Sequence, residues 1–354
     1  MTGRHEMTGA SHELKPWQRW RWTRWLTDHG VSTRSVALVI GVLLLQASFI
    51  ASYLGAFHDP KPHEITVVTT NEQVAQQLNA LDGDPLKATV VADRAAAEQK
   101  INDQDAYGAY IVGQQSDELL VASAANVAVA TTLEEIFGQV AKQNGRQLTV
   151  TDVNPLPTGD PRGLSGFYLV VGWTVGGYLV ASALSISLGS RPANRRRASV
   201  RIGALAVYSL ASGIVGAAIS YAIVGGMPHR YVAVGAVGAL LVFGVGAVTM
   251  ALQVVSSVLG IGLAVLLFVI LGNPSAGGAY AWPLLPGFWA AIGPWLPPGA
   301  GLSAFRSIVY FENSKLLMPL LVLAAYAVVG IIATLLLAGR RPHMAAEIDE
   351  FGTE

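Results

Sequence analysis

Residues 231–272 read YVAVGAVGALLVFGVGAVTMALQVVSSVLGIGLAVLLFVILG, forty-two positions without a charged side chain. At about 1.5 Å per residue a continuous helix of that length would run about 63 Å, twice the ~30 Å of bilayer hydrocarbon, so the stretch must fold back on itself. The polar QVVSS at 253–257 marks the turn. Outward from this pair, four more uncharged runs are each long enough for one span: 35–57, 167–188, 202–227 and 316–339. The spans therefore number six, with one first, then a long gap, then five.

The composition agrees. Hydrophobic residues make up 52% and charged residues 13% of the 354, against about 25% charged in a soluble domain. Mean hydropathy is +0.45. The 23 basic and 23 acidic side chains cancel, which argues against a nucleic-acid binder working by bulk positive charge. The absence of cysteine rules out disulfides, thiolate metal sites and a catalytic thiol. A secretory signal is the alternative reading of 35–57, but its leading region exceeds thirty residues and its apolar core exceeds the usual ~7–15, which favours an uncleaved helix.

Orientation follows from lysine and arginine near the spans. Arg4, Lys15, Arg19, Arg21, Arg24 and Arg34 precede the first, Arg191, Arg195, Arg196, Arg197 and Arg201 occupy the short loop after the second, and Arg340 and Arg341 follow the last. With six spans these sides coincide, so both termini are expected in the cytoplasm and the protein in the plasma membrane. The long gap, 58–163, carries 15 acids against 7 bases, as suits an exported domain.

Within that gap the pattern alternates. Strands are expected at 65–69, 87–92, 107–112, 118–122 and 147–153, and helices at 71–81, 94–102 and 126–144. This predicts a small α/β sandwich able to bury its own core. The fold class expected is therefore a polytopic α-helical membrane protein with six transmembrane helices and an α/β extracytoplasmic domain inserted between helices 1 and 2. Its parts are a tail at 1–34, a span at 35–57, the α/β domain at 58–163, a five-helix domain at 164–339 and a tail at 340–354.

No catalytic residue, metal site or directly bound cofactor is assigned. His58, Asp59, His63 and Glu64 have ligand chemistry, but Pro60 and Pro62 hold the segment extended and nothing gathers the four, so a solvated linker is the simpler reading. Adjacent Glu134 and Glu135 point about 100° apart on a helix and read as a solvated face. The spans at 167–188 and 202–272 carry no ionisable residue outside the outer-loop pair His229 and Arg230, which weighs against a proton-driven carrier. Small residues fill them instead: Gly172 and Gly176, Gly213 and Gly216, Gly235 and Gly238, Gly244 and Gly246. These suit close helix packing, with a dimer seam or a substrate path as the alternative. Trp173, Tyr178, Tyr221 and Phe288 are the candidate path residues.

Residues 273–315 break the pattern with Pro283, Pro286, Pro294, Pro297 and Trp289 among other prolines and tryptophans. Their apolar pieces are too short to cross, so one or two re-entrant or interfacial half-helices are expected on the outer side, as an outer gate. Ahead of the first span, Trp17, Trp20, Trp22 and Trp25 alternate with arginines, as in a helix lying in the inner headgroup layer.

One span, an α/β insertion, then five spans with a proline-rich segment before the last resembles the ABC-2-type permeases, particularly the bacterial branch related to the YhgE/Pip proteins. The residues that carry the likeness are YGAYIV at 107–112, ELLVASAANVAVATTLEEIF at 118–137, DVNPLPTGDPRGLSGFYLVVGWTVGGYL at 152–179 and NPSAGGAYAWPLLPGFWAAIGPWLPPGAG at 273–301. The resemblance implies an exporter half, dimeric with itself or a similar permease, that moves an apolar or amphipathic compound. No GxxxxGK[ST] loop occurs, so ATP would be used by a separate cytoplasmic ATPase. By the same likeness the tryptophan segment is an interface helix, and Arg191, Arg195, Arg196, Arg197 and Arg201 form the ATPase-coupling surface; anchoring on anionic lipid is the plainer alternative for the arginines. The rival class is a non-transporting binding or scaffold protein acting through the extracytoplasmic domain.

Overall fold

The computed structural model describes residues 33–225 and 230–339. The chain divides within its first helix into two compact units, Met1–Ser48 and Phe49–Glu354. That helix, α1, runs Thr33–Phe57. In the first unit, its Val39, Val42, Leu43 and Leu44 are exposed. The expected interface helix with Trp17, Trp20, Trp22 and Trp25 lies outside the described residues, as do Arg340 and Arg341.

Among the described residues six helices are long and apolar enough to cross a bilayer: Ser35–Phe57, Ser165–Leu188, Arg195–Val224, Tyr231–Ser256, Val258–Ser275 and Leu317–Leu337. The chain is a mostly helical, multi-pass membrane protein. Large apolar side chains such as Ile186, Val207, Ile214 and Val329 stand exposed along these helices, as suits helices that cross a bilayer.

Between α1 and the second of these helices lie β1 (Ile65–Thr69), α2 (Glu72–Asn79), β2 (Leu86–Val90), α3 (Arg94–Asn102), β3 (Gly108–Ile111), β4 (Ser116–Val121), α4 (Val127–Gln143) and β5 (Gln147–Asp152). Each helix opens on a side chain that accepts from its first turn, namely Asn71, Asp93 and Asn126. The strands form one sheet in the order β2-β1-β3-β4-β5, parallel except for the β3–β4 hairpin. Strand alternation sends Ile65, Val67, Leu119 and Val121 to one face, against Leu78, Leu133 and Phe137. Val68, Ala109 and Leu120 go to the other, against Ala97 and Ile101.

The two faces are buried chiefly by the layer's own helices, and residues from the segment before the last span add to them: Ala281 and Leu284 to the first face and Phe311 to the second.

The remaining helices are α5 (Ser165–Leu188), α6 (Arg195–Val224), α7 (Tyr231–Ser256), α8 (Val258–Val265), α9 (Gly287–Ile292), α10 (Pro297–Tyr310) and α11 (Leu317–Leu337). The π-helical Leu266–Leu271 and the turn Gly272–Ser275 continue α8, so Asn273–Ser275 belong to the fifth apolar helix and not to the irregular segment. α7 is the hub of the bundle, packed by α5, α6 and α11. It is apolar all round, and its glycines admit its neighbours. A Cβ on Gly213 of α6 would stand 2.2 Å from the Gly235 carbonyl of α7, and one on Gly330 of α11 would stand 2.5 Å from the carbonyl carbon of Ala247.

The fold-back expected near 253–257 occurs at Ser257, which takes φ 49° and ψ −117°. Here an expectation is corrected. Residues 195–201 are not loop but the first two turns of α6, opened by the Asn194 side chain, which accepts from Arg197 N at 2.9 Å.

Candidate functional site

The five arginines assigned to one coupling surface do different things. Arg191 donates from Nε to the Val254 carbonyl at 2.9 Å and from Nη2 to that of Val255 at 3.2 Å, capping the end of α7 beside the fold-back. Arg201 is 7% exposed and donates to the carbonyls of Gly189 and Leu188, capping the end of α5. Arg195, Arg196 and Arg197 are exposed and form no ion pair among the described residues. Two of the five thus supply donors to the last carbonyls of a helix, which have no partner within it. Three remain free to meet a partner or lipid.

The candidate path residues are not brought together. The Trp173 ring is buried between α6 and α7, where only the missing side chains of Gly216 and Gly238 leave it room, and its Nε1 donates to the Ser212 carbonyl at 3.0 Å. Tyr178 packs on the bundle core. Tyr221 is 45% and Phe288 55% exposed, the latter in α9 edge-on to Trp289. Trp173 does form the floor of a groove of about 670 Å³ between α5 and α6, with Tyr168, Gly172, Tyr208, Val215 and Ile219 on its walls. Gly172 has nothing within 4 Å of where its Cβ would be, so it widens the groove and packs nothing.

In the segment assigned as a gate each proline opens a short element. Pro283 is the second residue of the 3₁₀ turn Trp282–Leu284, Pro286 precedes α9, Pro294 lies in the 3₁₀ turn Gly293–Trp295 and Pro297 begins α10. Proline suits these places because the first turn of a helix has no partner for its N–H. Trp289 lies over Gly55 of α1 and donates to Ser52 Oγ at 3.3 Å. The α/β layer holds the segment at several points. His63 N donates to the Pro283 carbonyl at 2.9 Å, Asn126 Nδ2 to that of Gly278 at 3.2 Å, and Gln104 Nε2 to that of Ser314 at 2.8 Å. Lys315 Nζ reaches the Gln104 carbonyl at 2.8 Å and Asp105 at 2.7 Å.

Where layer, segment and last span meet there is a cavity of about 330 Å³. Gln104, Tyr107, Ser303, Arg306, Ser307 and Lys315 are its polar lining, and Trp282, Trp295 and Met318 much of its apolar wall. Arg306 donates from Nη1 to the Gly277 carbonyl at 2.9 Å and from Nη2 to that of Gly278 at 3.3 Å. Burial pushes its guanidinium down and the Tyr107 hydroxyl up, and the same burial with Asp160 nearby pushes Tyr310 up to about 12. An arginine keeps its charge through such a shift. The sequence reading passed over both Tyr107 and Arg306. The available signal was that Arg306 is the only charged residue between Arg230 and Glu312.

Among the described residues no cluster of histidine and acidic side chains is placed to hold a metal ion. No family model, curated protein or solved structure matches the chain.

Proposed function

We propose that the chain is the membrane subunit of an exporter for an apolar or amphipathic compound, dimeric, sited in the plasma membrane with both termini in the cytoplasm, and driven by a separate ATPase. The observation that carries this reading is the continuity of α6. Its first turn presents the exposed Arg195, Arg196 and Arg197, and its later turns, from Tyr208 to Val224, form one wall of the apolar groove. A helix of thirty residues is a stiff rod of about 45 Å. A partner pressing on its arginine end would move the groove wall at the other. The groove, lined almost wholly by apolar and aromatic groups and open along its side, suits a substrate that enters from lipid. On this reading the α/β layer is extracytoplasmic, and its hold on residues 276–315 makes that segment the outer gate.

Purification of the tagged protein from its native membrane in mild detergent, followed by mass spectrometry of what accompanies it, tests this. A near-stoichiometric ATPase that is lost when Arg195, Arg196 and Arg197 are changed to Glu supports the exporter reading. Recovery without an ATPase sinks it in favour of a binding or scaffold protein. Deleting residues 60–160 does not separate the two, because it would strip the cover from Ala281, Leu284 and Phe311.

A further inference from the structure

The cavity beside Arg306 has the composition of a site for a particular kind of ligand. A guanidinium has five N–H donors. Two go to the Gly277 and Gly278 carbonyls, which fix the plane of the group, and the other three have no partner among the described residues. Among the described residues no carboxylate forms an ion pair with it. The charge of Asp160 acts on it, but both oxygens of that side chain are already engaged: Leu164 N donates to Oδ1 at 3.1 Å and Ser165 N to Oδ2 at 3.0 Å, at the start of α5. Tyr107 and Ser303 also line the cavity, and their hydroxyls make no hydrogen bond among the described residues. A half-buried cation with donors turned to no protein group, beside two hydroxyls in the same condition, is a ready partner for an oxyanion.

Gln104, Ser307 and Lys315 also line the cavity, the last with its Nζ on Asp105 and the Gln104 carbonyl, and the remaining wall is apolar. Met318 lies in the first turn of the last apolar helix, and Trp295 stands at the end of the 3₁₀ turn before α10. Both are more than half exposed, so the cavity opens between side chains at the level where that helix enters hydrocarbon, the depth at which tryptophan collects. A free inorganic anion would use the donors and waste this wall.

We propose that the cavity binds an anionic amphiphile, with its phosphate or carboxylate oxygens on Arg306, Tyr107 and Ser303 and its chain leaving past Trp295 and Met318 into the bilayer. The inference stands whether or not the chain transports anything, since it concerns a different concavity from the groove between α5 and α6.

Full-length protein in a neutral maltoside detergent is titrated with dodecyl phosphate and, separately, with dodecanoate, dodecyl maltoside and inorganic phosphate, and complexes are counted by native mass spectrometry. One dodecyl phosphate per chain is expected, with dodecanoate competing for the same place. Arg306→Gln should weaken it by tenfold or more, and Tyr107→Phe by about three- to tenfold. Tyr107→Phe keeps the ring and removes one free hydroxyl, so it reports on binding even if Arg306→Gln fails to fold for want of its bonds to the Gly277 and Gly278 carbonyls. Binding of dodecyl maltoside as tight as that of dodecyl phosphate, wild-type affinity in Tyr107→Phe, or inorganic phosphate binding as well as its dodecyl ester would each overturn the assignment.

Discussion

Lys315 Nζ lies 2.7 Å from Asp105 Oδ1, an ion pair that joins the turn after α3 to the entry of the last apolar helix. Lys100 reaches the same carboxylate at 2.9 Å, so one acid is shared between a local partner and a distant one. Both bases hold Asp105 below the usual carboxylate range, Lys315 most strongly. The three side chains are 40–53% exposed, which leaves the join electrostatically shallow. The strength of the attachment lies in the apolar side chains beneath it.

Asp105→Asn should therefore lower stability by less than about 1 kcal/mol, as exposed pairs do. Phe311→Ala, which removes a buried ring from the α3 face of the sheet, should cost about 3–5 kcal/mol. Thermal melts of the two variants in the same detergent provide the comparison, and equal losses would mean that the join is electrostatic after all.

Arg201→Gln should destabilise by about 0.5–1.5 kcal/mol, since the buried Arg201 side chain loses its hydrogen bonds to the carbonyls of Leu188 and Gly189. Arg196→Gln, at an exposed position, should stay within about 0.5 kcal/mol of wild type. If Arg201 instead behaves like Arg196, its capping role is wrong.

Gly213→Ala should cost about 1–3 kcal/mol, because its methyl would meet the Gly235 carbonyl and α6 must draw away from α7. Gly172→Ala meets nothing and should leave the melting temperature unchanged or slightly raised. A loss at Gly172 as large as that at Gly213 would show that the groove is closed by something in the assembled protein.

Asp117 is 1% exposed and sits between Arg146 Nε at 2.8 Å and the Tyr110 hydroxyl at 2.5 Å. Burial alone would raise its carboxyl, but Arg146 and Tyr110 together hold it below the usual range. The folded value lies under the unfolded one, about 3.9, so its stabilisation is complete above that pH and is lost as pH falls through the folded value. Wild type should lose stability on acidification below about pH 4 more steeply than Asp117→Asn, which begins about 2 kcal/mol weaker at neutral pH. Melts between pH 3 and 7 test this, and parallel curves would exclude Asp117 as the titrating group.

The parts legible in the sequence are those governed by periodicity. Runs without charge mark the spans, and period-two and helical spacing mark the strands and helices of 65–152. What escaped notice depends on which residues meet across long separations. Arg191 and Arg201 looked like neighbours of Arg195–Arg197, but one turns to the end of α7 and the other to the end of α5, and neither helix end could be located without the fold. Asn194 carried a readable signal, since a capping residue before RRRA starts α6 well ahead of its first apolar run. Arg306 was conspicuous by its isolation, yet its role needed Tyr107, which lies in β-sheet sequence two hundred residues earlier.

The addition of Ala281, Leu284 and Phe311 to the sheet faces also has a consequence for biosynthesis. The ribosome delivers β5, ending at Asp152, well over a hundred residues before Leu284. At roughly 5–20 residues per second that interval lasts on the order of ten seconds. Throughout it four apolar helices are made while the sheet faces lack Ala281, Leu284 and Phe311. The newborn chain therefore has a vulnerable period, ended only by the arrival of the 3₁₀ turn at Trp282 and of Phe311 after α10, and a chaperone that holds the sheet would have its work confined to that window.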